Sequence, residues 1–457
     1  MSAGANGAVL DLEAVGSRAV EAALAAGADD AEAWVERSVE REVRVYEGAV
    51  ESLSDAGSRG VGVRVFRGER PGYAYGTDLS EAGVAATARE AAAVAAIADP
   101  DEHAGLPDHL GAATVDGLHS SALSHWTTER KIELAVAVER AARGRAGVSQ
   151  VEDTVYSDGE AEAAIVNSRG FSSAYESTSA WAYASAFAGE GNDLMTGLGL
   201  GIARAPDALD AAAIGAEAAD RALALRGARQ PPGRRCPIVL DTFVAASFVG
   251  FIGGMLSADA VQRGRSLYAG MEGEEIAAPA LRLSDDGTDP DGFASAPFDG
   301  EGSPRRRTPL IEDGRLATYL FDARTARKGG RSTTGSAVRG SYRSAPSVGT
   351  TNLVVDAGGS DTDELIKAAG EGLLVTDVAG LHSGVNPISG TFSVGATGRL
   401  IEGGELGRPV REITIASDLV TMLKSVRAVA SSTRWVPFGG SVRAAPLLLD
   451  EMSVAGG

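Results

Sequence analysis

Apolar residues recur along the first half of the chain with two different periods. A spacing of three and four residues is typical of a helix packed on a core, and strict alternation is typical of a strand. Helices are predicted over 10–26, 79–97, 127–143 and 206–226, and strands over 33–45, 60–66, 72–75 and several segments between 148 and 202. Residues 99–125 show neither period and are predicted to form a loop. This order predicts an N-terminal α+β domain with helices on a mostly antiparallel sheet.

The second half of the chain is rich in glycine, valine and threonine, and neither half contains a visible repeat of fixed period. Two prolines within 229–235 interrupt both patterns, so we place the boundary there, between an N-terminal domain 1–228 and a C-terminal domain 236–457. Asp313-Gly314, between apolar runs at 309–319, is typical of a hairpin turn. Strands are predicted over 238–240, 351–355, 373–377, 410–415 and 447–449, and helices over 242–256 and 418–429. The C-terminal domain is therefore predicted to be β-rich and barrel- or sandwich-like, with few helices.

The composition limits the classes of partner. Among 457 residues, 42 Lys and Arg stand against 62 Asp and Glu, which gives a formal net charge of −20. Such a surface repels phosphate backbones and anionic lipid, so neither nucleic acid nor a membrane is expected as a partner. With 44% hydrophobic residues, the chain can bury a large core.

The chain carries few signals of location. The N-terminus lacks a signal-peptide pattern, and the uncharged stretches 242–258 and 378–398 fit a buried helix and a loop better than membrane spans. Cys236 is the only cysteine, so no internal disulfide can form. We expect a cytoplasmic protein.

Four of the five histidines lie in the predicted loop. His103, His109, His119 and His125 are separated by six, ten and six residues, among acidic neighbours. This spacing does not place them on one helical face, so it leaves open a metal site or a solvated polar loop. Neither HExxH nor HExxxH, the helical zinc-peptidase motifs, occurs in the chain.

No complete nucleophile motif is visible. Ser389 and Ser393 have nucleophile-type side chains, but only His382 lies nearby in sequence as a base. A glycine-rich turn explains the same segment.

Other polar and glycine-rich motifs also have two interpretations. Asp285 with Asp286, and Asp299 with Glu301, fit paired acids, a cation site or solvated turns. The glycines within 60–62 and 197–201 lack the full dinucleotide-binding fingerprint and its following helix, so we expect them to allow close packing of strands.

Several short motifs follow one another along nearly the whole chain. They are Gly60-Val-Gly-Val-Arg-Val65, Asn167-Ser-Arg-Gly170, Asp285-Asp-Gly-Thr288, Asp299-Gly-Glu-Gly302, Leu310-Ile-Glu-Asp-Gly-Arg-Leu316, Tyr319-Leu-Phe-Asp322, Asn386-Pro-Ile-Ser-Gly-Thr-Phe-Ser393, Gly395-Ala-Thr-Gly398, Ile401-Glu-Gly-Gly-Glu405 and Pro409-Val-Arg-Glu-Ile-Thr-Ile415. In this order and spacing the chain resembles the TldD/TldE family, also called PmbA-like or peptidase U62.

The resemblance implies a heterodimeric zinc-dependent peptidase that acts on unfolded or linear peptides. One subunit type of the family carries HExxxH on a helix early in the second domain, with a further Cys ligand near the C-terminus. In this chain the corresponding helix, 244–256, contains neither His nor Glu, and 428–452 contains no Cys. The chain therefore resembles the metal-free TldE/PmbA-type subunit. That subunit would have no catalytic residue and no metal ligand of its own, and zinc is expected in the partner.

The resemblance also implies partners and a substrate contact. The expected partner is an HExxxH-bearing TldD-like subunit, or a second copy of the chain in a homodimer, and the expected substrate is a peptide. Asn386, Ser389, Gly390 and Phe392 are the candidate substrate-binding residues, although a turn that closes the barrel explains them equally well. Two alternatives stay open. One is a non-proteolytic peptide-binding or regulatory protein, as in the family's description as a modulator of DNA gyrase, and the other is an independent hydrolase with an unrecognised site.

Overall fold

The N-terminal part of the protein uses one arrangement of elements twice. The computed structural model describes residues 10–438 and 440–456. A helix, three strands and a helix occur as α1 (Leu12–Ala25), β1 (Asp30–Tyr46), β2 (Ala49–Arg67), β3 (Arg70–Gly76) and α2 (Glu81–Ile97), and again as α3 (Thr128–Arg143), β4 (Val148–Asn167), β5 (Ser172–Ala188), β6 (Met195–Ala203) and α4 (Ala211–Ala224). These strands form one antiparallel sheet in the order β3-β2-β1-β4-β5-β6, so the two units meet at β1 and β4.

Helices cover one face of this sheet. Val61, Val63 and Val65 of β2 pack against α1 and α2, and the alternate alanines Ala180 to Ala188 of β5 pack against α3 and α4. Each of these helices begins at a side chain that accepts a backbone N–H bond: Asp11, Ser80, Thr127 and Asp210. The opposite face of the sheet turns toward the C-terminal domain.

The C-terminal domain consists mainly of short strands. They are β7 (Arg234–Leu240), β8 (Leu283–Asp286), β9 (Arg307–Glu312), β10 (Arg315–Leu316), β11 (Ala337–Val338), β12 (Ser347–Val348), β13 (Asn352–Val355), β14 (Gly372–Ala379), β15 (Thr391–Glu402), β16 (Glu405–Asp418), β17 (Val426–Val429), β18 (Arg434–Val436), β19 (Ser441–Ala444) and β20 (Leu447–Ala455). The helices are α5 (Thr242–Met255), α6 (Ala258–Gln262), α7 (Ala323–Lys328), α8 (Thr362–Ala369), α9 (Leu381–Gly384) and α10 (Leu419–Lys424). The predicted α+β fold with a β-rich second domain is confirmed.

One sheet of the C-terminal domain closes on itself as a small barrel. Its order is β16-β15-β14-β7-β20-β17, and β16 also pairs with β20, where Ile415 lies opposite Val454. The second large sheet has the order β10-β9-β8-β13-β19-β18. The apolar helix α5 contacts strands of both sheets and supplies much of the core between them. No helix in the described part of the chain is long and apolar enough to cross a membrane.

The predicted helix over 206–226 is shorter in the structure. Pro206–Ala208 form a 3-10 turn, and α4 begins only at Ala211. The Asp210 side chain accepts the backbone N–H of Ala213, which fixes the start of the helix.

The predicted helix over 418–429 is wrong in its second half. α10 ends at Lys424, and the following residues form β17, which pairs with β20. Val426 and Val429 lie opposite Leu449 and Leu447. Packing of the two β-branched valines across the strand pair outweighs the helical spacing of apolar residues in this part of the sequence.

The predicted hairpin over 309–319 is confirmed. β9 and β10 flank a two-residue turn in which Asp313 and Gly314 have φ angles of 48° and 77°. Two successive positive φ values are typical of the tight turn whose twist matches that of the flanking strands.

Aromatic packing joins the two domains. Phe298 of the C-terminal domain meets Trp34, Phe171 and Tyr175 of the N-terminal sheet edge-on, with ring centroids 6.1, 6.1 and 5.3 Å apart. All four rings belong to one buried or partly buried cluster, so this contact is a small core of its own.

A buried line of alternating charges lies beside this cluster. Arg339 and Arg64 both donate to the Glu32 carboxylate, and Arg64 also donates to Glu301. The Arg64–Glu32 and Arg64–Glu301 distances are 2.8 and 2.7 Å. Burial disfavours the Arg64 charge, but the two carboxylates together raise its pKa above the usual value. Glu32 and Arg64 come from the N-terminal sheet and Glu301 and Arg339 from the C-terminal domain, so the network fixes one domain on the other.

The predicted loop 99–125 crosses between the domains. Gly111 and Ala113 donate backbone hydrogen bonds to the carbonyls of Gly302 and Pro297. Arg327 of α7 donates to the carbonyl oxygen of His103. This segment is mostly loop, as predicted, and it straps the N-terminal sheet to the C-terminal domain.

Candidate functional site

A groove runs between the two domains, and we call it the interdomain groove. It consists of two adjoining cavities of about 580 and 680 Å³ that share Leu198 and Phe438 in their linings. In the larger cavity one wall is the helix-free face of β5 and β6, and the other is formed by Phe293, Pro437 and Phe438. The smaller cavity lies between α4, with Glu217 and Arg221, and the start of α5, with Phe243. The groove is large enough to hold several residues of an extended peptide.

The sheet wall results from alternation along β5. Alternate alanines point to the helices, whereas Ser179, Trp181 and Tyr183 point into the groove. The rings of Trp181 and Tyr183 stack with centroids 5.9 Å apart and an interplanar angle of 9°. Sequence analysis missed these residues, although the strict alternation of alanine with larger side chains was a usable signal.

The facing wall is organised around Phe243, at the start of α5. The guanidinium carbons of Arg221 and Arg434 lie 4.4 and 5.0 Å from the centroid of the Phe243 ring. Arg221 donates to Asp241 at 2.8 Å, and Arg434 donates to Glu217 at 3.0 Å. Burial raises the pKa of Asp241, while Arg221 acts in the opposite direction. These charges are paired with one another, so the wall presents mainly aromatic and aliphatic surface.

Helix α5 lies where zinc ligands are expected in the metal-bearing subunits of the resembled family. The residues along its partly exposed stripe are Ser247, Phe251 and Gly254, spaced four and three residues apart. A hydroxyl, a phenyl ring and a glycine do not form a zinc donor set, which needs imidazole, thiolate or carboxylate groups. The residues present on α5 therefore do not fit a catalytic zinc.

The predicted substrate-binding residues lie together on one turn. Asn386 Oδ1 accepts backbone N–H bonds from Ile388 and Ser389 at 2.9 and 3.1 Å. Gly390 has a φ of 75°, and its N–H donates to the Asn386 carbonyl at 2.8 Å. Asn386 and Ser389 are exposed, and the Ser389 hydroxyl bonds to the hydroxyl and the backbone N–H of Thr391.

Phe392, the fourth predicted contact, connects this turn to the core. It is buried and packs on Phe248 of α5, with ring centroids 5.2 Å apart. The side chain therefore positions the turn over α5. The assignment of the turn to substrate binding remains a prediction.

The histidines are not gathered into one site. Three of them face different groups: His103 the Glu102 carboxylate, His119 the Glu176 carboxylate and His125 the Ser121 carbonyl. His109 and His382 are exposed at separate places. Across residues 10–438 and 440–456, no group of three His, Cys, Asp or Glu side chains is arranged to hold a metal ion.

Three of the four acidic candidates, Asp285, Asp299 and Glu301, are buried, and the two aspartates hold backbone segments in place. Asp285 accepts bonds from the backbone N–H and the hydroxyl of Thr351, at 2.7 and 2.9 Å. Asp299 accepts backbone N–H bonds from Glu301 and Ser303, both at 2.9 Å. Burial and the neighbouring Glu301 carboxylate raise the pKa of Asp299. The burial of Asp285, Asp299 and Glu301 is incompatible with solvated turns, whereas the half-buried Asp286 accepts from the backbone N–H and the hydroxyl of Thr288, as in a turn.

Asp285 should make stability depend on pH. Burial is the main cause that raises its pKa from 3.8 to about 6 in the folded protein. Its protonated form is therefore favoured by folding, and that advantage is complete below about pH 4 and is lost as the pH rises to about 6. The amide of an Asp285→Asn variant can still accept from and donate to Thr351. Between pH 4 and pH 7 we expect the free energy of unfolding of this variant to rise by about 3 kcal/mol relative to that of the unmodified chain. Denaturant titrations across this range measure the difference, and a difference that does not change with pH would contradict the expectation.

Family models match three consecutive parts of the chain. They describe the PmbA/TldA metallopeptidase domain 1 at residues 31–95, the central domain at 122–226 and the C-terminal domain at 232–456. The matches follow one another in the order of the family and leave only short segments between them.

Curated relatives are similar over nearly the full length. Metalloprotease PmbA of Escherichia coli O157:H7 is 29% identical over 452 residues, covering 97% of this chain and 96% of that protein. The metalloprotease PmbA homolog of Haemophilus influenzae is 28% identical over 446 residues, covering 96% and 95%.

Solved structures share the whole architecture. TldE from Thermococcus kodakarensis superposes with a TM-score of 0.90 at 22% identity, covering 96% of this chain and 99% of that one. A Thermotoga maritima protein described as a candidate modulator of a DNA gyrase gives a TM-score of 0.89 at 25% identity, covering 97% and 100%. With the three family models matched in order along most of the chain, this protein belongs to the PmbA/TldA metallopeptidase family, the TldD/TldE family that its motifs resemble.

Proposed function

We propose that this chain is the metal-free subunit of a TldD/TldE-type peptidase complex that acts on unfolded or linear peptides. An HExxxH-bearing partner subunit supplies the zinc and the catalytic glutamate. This chain contributes the interdomain groove, which holds part of the extended substrate.

The observation that carries the proposal is the surface of α5. Ser247, Phe251 and Gly254 form the partly exposed stripe of α5, and they cannot bind zinc or activate water. Helix α5 nevertheless keeps its place between the two sheets and beside the groove. A subunit that only shapes the substrate site needs the fold around α5 and the groove, but it does not need zinc ligands on α5.

The lining of the groove supports an extended peptide as the ligand. Trp181, Tyr183 and Phe293 offer flat apolar surface for the side chains of a peptide. Asn386 and Ser389 are not among the residues that line either cavity; they lie on the exposed turn that Phe392 joins to Phe248 of α5. A cleft with mostly apolar walls and few polar groups discriminates weakly between sequences. It therefore suits a protein that accepts many unfolded chains.

A binding function without proteolysis is the second candidate. The Thermotoga maritima relative is described as a candidate modulator of a DNA gyrase, and the same groove can hold a segment of an intact partner protein. The net charge of −20 favours a protein over DNA as that partner.

Zinc content and peptide hydrolysis, measured together, test the proposal. We expect the purified chain to hold no stoichiometric zinc and to leave a fluorogenic linear peptide intact. Mixed with its HExxxH homologue, it should form a complex that holds about one zinc ion and cleaves the peptide. A homologue whose HExxxH glutamate is replaced by glutamine is the matched control, because it should keep the zinc and lose hydrolysis.

Two results would overturn the proposal. Zinc binding and cleavage by this chain alone would establish an independent hydrolase. A mixture that neither associates nor gains activity over the homologue alone would favour the non-proteolytic binding function.

A further inference from the structure

The two cavities of the interdomain groove differ in charge. The lining of the smaller cavity includes Glu217, Asp220, Arg221, Asp377 and Arg399. Within the described residues, the lining of the larger cavity contains no Lys, Arg, His, Asp or Glu side chain. A charged group that entered the larger cavity would lose its hydration without gaining a partner of opposite charge. The larger cavity therefore suits an uncharged, apolar group.

Aromatic rings line both walls of the larger cavity. The stacked rings of Trp181 and Tyr183 belong to the sheet wall, and Phe293 and Phe438 belong to the wall opposite. All four side chains are only partly buried, so part of each ring is open to a ligand. A guest ring can stack with an offset on one wall and meet the other edge-on, which are the geometries that aromatic pairs prefer.

Neighbouring residues hold these rings in place. The Tyr183 hydroxyl donates to the Asp153 carboxylate at 2.6 Å. On the opposite wall, the backbone N–H of Phe293 donates to the Ser441 hydroxyl at 3.2 Å, and the Phe293 ring meets Trp435 edge-on with centroids 6.2 Å apart. Rings that are already fixed lose little conformational freedom when a ligand binds, so less of the binding free energy is spent on ordering them.

We propose that the larger cavity binds an aromatic side chain of the peptide substrate, between the Trp181–Tyr183 pair and Phe293. The inference rests on the proposed function, since it takes an extended peptide as the ligand of the groove, and it adds a preference at one position of that peptide. The groove still accepts many sequences, because the other positions are not restricted by this cavity.

Size and position fit a side chain that belongs to a longer peptide. The larger cavity of about 680 Å³ has room for one aromatic side chain together with the main chain beside it. Leu198 and Phe438 line both cavities, so the neighbouring residues of the same peptide reach the smaller cavity, where charged groups face them. An aromatic residue and a polar or charged neighbour can therefore be bound at once.

Isothermal titration calorimetry with linear peptides and the full chain tests the preference. Each peptide is a short Gly/Ser sequence with blocked ends and one central residue, which is Phe, Leu, Ala, Lys or Glu. We expect the Phe peptide to bind about tenfold more tightly than the Ala peptide, with the Leu peptide between them. The Lys and Glu peptides should bind no more tightly than the Ala peptide, because the cavity offers their charges no partner.

Two variants assign the preference to the larger cavity. Trp181→Ala should reduce the affinity for the Phe peptide to about that for the Ala peptide. Trp126→Ala is the matched control, because Trp126 is a half-buried tryptophan of the same domain that stacks on Arg130 outside both cavities. Ala294 is an exposed residue of the lining, and Ala294→Asp adds a carboxylate there. This variant should bind the Lys peptide more tightly than the unmodified chain does, a gain that a folding defect cannot produce.

The results separate this inference from the proposed function. Equal affinities for all the peptides, no binding of the Phe peptide, or a Phe preference that survives Trp181→Ala would overturn the inference. The proposed function would still stand on the zinc content and hydrolysis of the mixture with the HExxxH homologue. A mixture that neither associates nor cleaves, together with a retained Phe preference, would overturn the proposed function alone, and the larger cavity would then be the side-chain pocket of a binding protein.

Discussion

Replacing Glu32 with alanine is expected to lower the free energy of unfolding by about 3–5 kcal/mol. Glu32 is fully buried, and its two carboxylate oxygens accept bonds from Arg64, at 2.8 Å, and from Arg339. In the variant Arg64 keeps Glu301, but Arg339 retains its charge in the interior without a carboxylate. An uncompensated buried charge is the reason for the large effect.

Denaturant unfolding followed by circular dichroism measures this effect. Glu40→Ala is the matched control, because Glu40 lies on the same strand and the same face of the sheet but is exposed. We expect that variant to stay within about 0.5 kcal/mol of the unmodified protein. A Glu32→Ala loss no larger than that of Glu40→Ala would show that the charge network does not hold the domains together.

The spacing of apolar residues predicted most helices and strands. In the long hairpin of β1 and β2, however, it predicted only the part that is buried. The predicted strands 33–45 and 60–66 are the segments of β1 and β2 that carry alternating apolar residues. Residues 49–59 are strand as well, yet both of their faces are exposed. An exposed strand needs no hydrophobic alternation, so its sequence carries little periodic signal.

Glycine spacing was informative because its physical cause is local. Gly60 and Gly62 were expected to allow close packing of strands; they do allow a close approach, but by Tyr342, which lies outside the strands. A Cβ atom on Gly60 would lie 2.3 Å from the ring of Tyr342, and one on Gly62 would lie 2.4 Å from the Tyr342 carbonyl oxygen. The sequence could show that something packs there. It could not show that the neighbour is a residue far along the chain.

Of the candidate site, the sequence could predict which residue types α5 carries, but not the groove beside it. The absence of metal ligands from α5 is visible in one stretch of sequence. The interdomain groove is not, because its walls combine Trp181 and Tyr183 of one domain with Phe243 and Phe293 of the other. The burial of Asp285 could not be predicted for the same reason. Its hydrogen-bond partner, Thr351, is far away in sequence and comes close to Asp285 only because β8 pairs with β13.

Truncation of Phe298 to alanine should be about as damaging as loss of Glu32, and for a different reason. Phe298 is 1% exposed, and its ring meets three aromatic rings of the N-terminal sheet edge-on. Removing it leaves a cavity in the small core between the domains, with an expected loss of about 3–5 kcal/mol in the free energy of unfolding. Phe298→Leu is the matched control. It keeps most of the buried volume but loses the edge-to-face contacts, which are worth about 0.5–1.5 kcal/mol each.

Tryptophan fluorescence during denaturant unfolding is the appropriate measurement, because Trp34 lies in the same cluster. We expect Phe298→Leu to fall between the unmodified protein and Phe298→Ala. If Phe298→Ala unfolds within 1 kcal/mol of the unmodified protein, roughly the average effect of any substitution, the aromatic cluster is not a core that joins the domains. The charge network around Glu32 and the segment 99–125 would then hold the domains together. In that case Glu32→Ala, unlike Phe298→Ala, should separate the unfolding of the N-terminal sheet from that of the C-terminal domain.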